Sequence, residues 1–265
     1  MKPLGVTLVA LCIAASAFSQ GLVWQSKTEG AVKERMTENF AMPKMFKTVR
    51  SEDVKEGAIV IFRLDKELLW TLNPEKKTYS EMTFAEMEKL MSKAGGKMDA
   101  AMAKMEEQMK DMTPEQREMM QKMMGGKMPG AGSSKPTQVK NTGERKTISG
   151  YACTKFVVTD DEKDFMTLWV TRDVRGFEPL MADWKEFSKR MGAMNRFAKG
   201  AVDAYKNIEG FPIETTVSMM NTTVTTTVTK IERRSTPANE FQVPSGYTKV
   251  KSQLEDALEK MDDED

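Results

Sequence analysis

Histidine is absent from all 265 residues. That removes Ser-His-Asp and Cys-His catalysis together with histidine-ligated zinc and copper. Sulfur is instead supplied by 24 methionines against two cysteines. Cys12 falls in an expected leader, where Leu11 before it makes a poor lipidation site. Cys153 lies in the apolar run 151–158, Tyr-Ala-Cys-Thr-Lys-Phe-Val-Val, and reads as a small buried hydrophobe rather than a reactive thiol. A single remaining cysteine forms no intrachain disulfide.

The methionines are patterned. Met87 and Met91, then Met98, Met102, Met105, Met109 and Met112, follow three- and four-residue steps after the early part and form one thioether stripe on a helix. Such a stripe serves as a packing surface or as an adaptable cover over an apolar ligand, because methionine is unbranched and fits irregular shapes. As an alternative, thioethers are soft ligands for Cu(I), and Met102, Met105, Met109 and Met112 share a helical face. Carboxylates such as Asp65, Asp173 and Asp183 stand singly, without paired spacing. No catalytic set and no cofactor is expected.

Three zones must position these residues. From Leu22 to Ser80 the chain reads as short strands between polar turns: 58–64, 68–72 and 78–80. From Glu81 to Gly126 it is helical. Thr83-Phe84-Ala85-Glu86 is a capping box, Gly95-Gly96 a weak point, and Thr113-Pro114 a stop and restart before Met119, Met120, Met123 and Met124. Residues 127–136 are a Gly/Ser/Pro-rich linker. Strands return at 151–158, 165–171, 211–220 and 222–231, with helical spacing of Met181, Trp184, Phe187, Met191, Met194, Phe197 and Val202 between them. The terminal residues 254–265 read as an acidic helix.

Export is the expectation for the whole. Lys2 precedes an apolar run from Pro3 to Ala14, and Ala15-Ser16-Ala17 fits a signal-peptidase site, so residues 1–17 are expected to be a cleaved signal peptide. That run is shorter than the roughly 20 residues of a membrane span, and no stable span is expected after cleavage. Loss of Lys2 leaves 39 basic and 39 acidic residues, a balance with no general attraction for nucleic acid. The expected organisation is one β-rich domain over 18–250 with a Met-rich helical insertion at 81–126 and a tail at 251–265, located in the periplasm or secreted.

Four stretches together resemble a family of secreted bacterial proteins known only as a domain of unknown function. The first comprises Phe62-Arg63-Leu64-Asp65, Leu69-Trp70-Thr71-Leu72-Asn73 and Lys77-Thr78-Tyr79-Ser80. The others are 142–153, Leu168-Trp169-Val170-Thr171, and Phe241-Gln242-Val243-Pro244-Ser245-Gly246-Tyr247. That family is similar in organisation to the periplasmic lipoprotein carriers of the LolA and LolB type. The resemblance implies an α+β fold, a curved antiparallel half-barrel sheet covered by helices, that binds acyl chains between sheet and lid. The expected function is therefore non-enzymatic holding of an apolar ligand, a lipid or acyl chain. Its expected contacts are Trp70, Leu72, Met91, Met98, Met102, Met105, Met109 and Trp169. The partners would be a lipid or lipoprotein. Cu(I) binding, or self-association and protein interaction through the Met-rich helices, stand as alternatives.

Overall fold

The computed structural model describes residues 20–50, 58–110, 113, 138–160, 163–183, 185–186, 208–219, 222–252 and 255–256. The expected signal peptide, the second Met-rich helix, the linker at 127–136, the positions from Trp184 to Val202 apart from residues 185–186, and the tail beyond Asp256 lie outside the described residues.

Twelve strands form one sheet: β1 Gln20–Gly30, β2 Arg35–Met42, β3 Met45–Arg50, β4 Ile59–Arg63, β5 Leu68–Asn73, β6 Thr78–Thr83, β7 Gln138–Ile148, β8 Tyr151–Asp160, β9 Lys163–Thr171, β10 Phe211–Met219, β11 Thr222–Ser235 and β12 Thr248–Lys249. Their order is β12-β6-β5-β4-β3-β2-β1-β11-β10-β9-β8-β7. Within each half, consecutive strands are antiparallel neighbours, as short tight turns dictate. The halves join where β1 pairs with β11 across a register shift at Gln25/Ser26. One helix, α1, spans Phe84–Lys110, and residues 178–183 form a further helical turn.

The strand alternation sorts side chains onto two faces. Directly paired residues run Leu22, Ala41, Phe46, Phe62, Leu69, Met82 across β1 to β6, one apolar row on one face. One residue along, the opposite face carries Val23, Phe40, Lys47, Ile61, Trp70 and Glu81.

The expected helical cover of a half-barrel is corrected by this architecture. The described chain is an open, mostly antiparallel twelve-stranded sheet, and helices do not roof it. On the Leu22 face, α1 lies against β6, where Phe84 and Met87, with Leu90, cluster with Met82, Phe62, Leu64 and Leu69. Further along, Val174, Phe177 and Leu180 join Leu22, Ala41 and Phe211, with Phe177 and Phe211 edge to face at 4.7 Å. The Asp183 carboxylate accepts from the Lys44 amide at 2.7 Å and ties the 178–183 turn to the β2–β3 turn. On the Val23 face the cover is an irregular strap, not a helix. The reason is local: after Leu90, the α1 sequence turns to Gly95-Gly96 and a mean hydropathy too polar for a buried helix, whereas the strap carries Phe241 and Val243.

Candidate functional site: two apolar faces and a C-terminal strap

Thr83 and Glu86 set the start of α1. The Glu86 amide donates to Thr83 Oγ1 at 3.1 Å, and the Thr83 amide donates to Glu86 Oε2 at 2.7 Å. This is the reciprocal capping box read from the sequence. The bond from the Thr83 amide, with a second from the Thr83 hydroxyl, holds the Glu86 carboxyl below its usual range. The cap aims the first turns of the helix so that Met87 is buried against Phe84 and Met82. The candidate ligands Met91, Met98, Met102, Met105 and Met109 continue along α1; their side chains are outside the described structure, and Met112 is outside it altogether.

Trp70 and Leu72 lie elsewhere. Both alternate with Leu69 on β5, so they project from the face opposite the one on which α1 begins. They meet Val23, Phe40, Met42, Ile61 and a fully buried Phe241. Phe241 ends the 3-10 turn Ala238–Phe241 and opens the strap that runs to β12. Beneath it, the buried Arg63 guanidinium donates to both Asp65 oxygens, at 2.8 and 2.6 Å, and to the Phe241 carbonyl at 3.1 Å. A buried cation needs such compensation. The Arg63 guanidinium hydrogen-bonded to Asp65 holds that carboxyl below its ordinary range.

Four further polar ties fasten the strap. Lys47 pairs with Glu240 at 2.8 Å, and the amides of Thr248 and Val250 donate to the Lys77 and Tyr79 carbonyls at 2.9 and 2.8 Å. Lys249 pairs with Glu81 at 2.8 Å, while Trp70 Nε1 donates to the other Glu81 oxygen at 2.7 Å. Lys249 first, then Trp70, holds the Glu81 carboxyl below its ordinary value.

Trp169 lies on the opposite face from Trp70, in the same cluster as Leu22, Ala41 and Phe46. On β9 it pairs with Lys155 and Glu214 and packs on the cluster of Cys153, Phe211 and Ile213. Lys146 Nζ sits 4.3 Å from the ring centroid and also pairs with Glu214 at 2.9 Å. Trp169 is seven strand positions from Trp70 in the sheet order, so the two tryptophans do not share a site. Cys153 is buried at 2% exposure, and burial pushes its thiol pKa up, which suppresses the nucleophilic thiolate. Among the described residues no group of three or more Asp, Glu or Cys is arranged to hold a metal ion, and no helix is long and apolar enough to cross a membrane.

Residues 85–247 match the family described as Domain of unknown function (DUF4412). The chain belongs to this family. No curated protein matches the sequence. Among solved structures, PNGF-II is similar at 9% identity and TM-score 0.38, covering 91% of this chain and 33% of that one. MucB in complex with MucA(peri) is similar at 8% identity and TM-score 0.39, over 90% and 60%. The Pseudomonas aeruginosa MucA/MucB complex is similar at 9% identity and TM-score 0.37, over 86% and 56%. The chain thus spans a third to three-fifths of the length of these chains. Likenesses this distant leave function to the geometry of the DUF4412 chain itself.

That geometry gathers the first and the last of the four stretches that carried the sequence resemblance, while 142–153 and 168–171 lie in the other half of the sheet. Arg63 and Asp65, Trp70 and Leu72, Lys77 and Tyr79 all contact or flank the strap containing Phe241, Val243 and Tyr247. Sequence reasoning missed Phe241 and the row Phe46, Phe62, Leu69, Met82. The signal was present in the period-two alternation: Phe62 with Leu64, against Ile61 with Arg63.

Proposed function

We propose that this DUF4412 protein is an exported, non-enzymatic holder of an apolar ligand, a lipid or acyl chain. The ligand lies along the apolar row of β1–β6 between the 178–183 turn and α1. The observation that carries this reading is the uninterrupted row Leu22, Ala41, Phe46, Phe62, Leu69, Met82, which leads directly into Phe84, Met87 and Leu90. Phe46, Phe62 and Leu69 in that row are half-buried. A sheet face of this composition favours an apolar partner. Met91, Met98, Met102, Met105 and Met109 extend the helical side of the site, where thioether chains adapt to a ligand of irregular shape. Trp70 and Leu72 seat the strap on the other face, and Trp169 packs at the β9 end of the cluster that contains Leu22 and Ala41. The periplasmic location and the signal peptide at 1–17 belong to the same reading, supported by the n-region, apolar run and Ala-Ser-Ala site.

Native mass spectrometry of the mature chain purified from a bacterial periplasm tests the reading. The expected result is a fraction of protein carrying an adduct of lipid or acyl-chain mass, diminished in a Met102→Gln, Met105→Gln, Met109→Gln variant. Bare protein alone, across preparations, would overturn it.

A further inference from the structure

The Leu22 face changes character along its strands. Two residues beyond the row Ala41, Phe46, Phe62, Leu69 and Met82, the same face carries Asn39, Thr48, Val60, Thr71 and Ser80, again directly paired from β2 to β6. Two residues further it reaches Thr37 and Arg50, which pair with each other, and then Arg35, two positions before Thr37 on β2. An apolar row, a row of amide and hydroxyl groups, and a pair of arginines thus succeed one another at steps of about 7 Å.

Each band is open to a ligand. All five members of the middle row are half-buried. Thr48 donates to Asn39 Oδ1 at 3.0 Å, but Asn39 Nδ2 meets its three acceptors only at 3.5 Å, where little hydrogen-bond strength remains. The Thr71 and Ser80 hydroxyls have no hydrogen-bond partner among the described residues. Arg35 and Arg50 are exposed, and neither forms an ion pair among the described residues. Glu34, next to Arg35 in the chain, is held by Lys27 at 3.0 Å, and Glu38 alternates onto the other face. The two arginines are diagonal neighbours on adjacent strands, close enough for long side chains to share one anion. From this succession we infer that the ligand of the Leu22 face is a phosphate-bearing amphiphile of the glycerophospholipid class. Its acyl chain lies on the apolar row, its ester oxygens accept from the middle row, and Arg35 and Arg50 hold its phosphate through guanidinium hydrogen bonds. A free fatty acid would place its carboxylate in the middle row, about 7 Å short of the position of Arg50 on its strand. The inference rests on the proposed holding of an apolar chain and adds the headgroup.

Displacement of cis-parinaric acid from the full mature protein tests it, with lauroyl lysophosphatidic acid and monolauroylglycerol as competitors below their micelle concentrations. The two lipids share chain and glycerol and differ only in the phosphate. The phosphate lipid should displace the probe at an about tenfold lower concentration, since hydrogen bonds to charged groups are the stronger kind. Arg35→Gln with Arg50→Gln should erase that preference without weakening monolauroylglycerol. Arg233→Gln should keep it: that arginine pairs with Leu22 on the same face, but its guanidinium lies against Gly176. Equal displacement by the two lipids in the unaltered chain, or a preference that survives in the double variant, would overturn the inference and leave the apolar holder standing. Failure of the probe and of both lipids to bind would sink the holder itself, and the headgroup site with it.

Discussion

Replacing Phe241 with alanine isolates what the strap contributes. The ring is fully buried among Val23, Phe40, Met42, Ile61, Trp70 and Leu72. Its backbone carbonyl also accepts from Arg63, and alanine preserves that bond. The perturbation is therefore a cavity in an apolar cluster, not a lost polar contact. Phe→Ala at such sites costs about 3–5 kcal/mol through lost transfer energy and unfilled volume. For a chain of this size each kcal/mol moves the midpoint by about 2–4 °C, so the expected drop in Tm is roughly 6–20 °C. Thermal unfolding followed by circular dichroism measures the drop, and urea unfolding followed by tryptophan emission measures the free-energy loss. Emission from Trp70 beside the vacated space should change even in the folded baseline. Phe241→Leu, which retains most of the volume, should cost below about 1.5 kcal/mol. A loss under about 1 kcal/mol for Phe241→Ala, with an unaltered folded emission, would refute the strap as the cover of the Val23 face.

Lowering the pH should loosen the same strap. Lys249 and Trp70 depress the Glu81 carboxyl from its ordinary 4.5, so its contribution is present above that value and is lost as pH falls through the depressed one. A Glu81→Gln chain should show a flatter stability profile below pH 4.5 in acid titration, and an unchanged slope would contradict the tie. Gly210, at φ +123, has the Thr171 carbonyl oxygen 2.5 Å and Val170 Cγ1 2.8 Å from where a Cβ would stand, whereas Gly143, at φ +76, has open space. Gly210→Ala should therefore cost clearly more than Gly143→Ala, whose penalty is limited to about 1–2 kcal/mol of backbone strain, as thermal unfolding would show. Thr83→Ala should remove about 1 kcal/mol of helix-cap energy; faster amide exchange confined to the first turns of α1 is the expected signature.

Local physics made much of this chain legible. The β-branched and aromatic runs at 59–63, 68–73, 211–219 and 222–235 are strands because their side chains suit a pleated, half-buried surface, and Thr83-x-x-Glu86 is a cap because its two hydrogen bonds are local. The family, too, was recognisable from short motifs. β7 was harder to read, since its Lys140-Asn141-Thr142-Gly143-Glu144-Arg145 stretch lies at the sheet edge with little apolar alternation. The pairing of β1 with β11 joins residues about two hundred positions apart, and no local pattern encodes such closure. The candidate site was assembled from residue type alone. Trp70 and the Met-rich helix were placed on one cavity although a single-residue step separates Trp70 from Leu69, and in a strand that step reverses the face. The helical cover was expected because an apolar sheet face needs covering; a strap of some ten residues with one buried phenyl ring covers the Val23 face instead.

The proposed holding of an apolar chain by the Leu22 face and α1 is best tested by titrating the full mature protein with cis-parinaric acid, below the concentration at which it forms micelles. The expected result is a saturable rise in probe emission at one site per chain, reversed by oleate, with a negative heat-capacity change in calorimetry as apolar surface is buried. Emission that climbs linearly without saturation, and is indifferent to oleate, would contradict it.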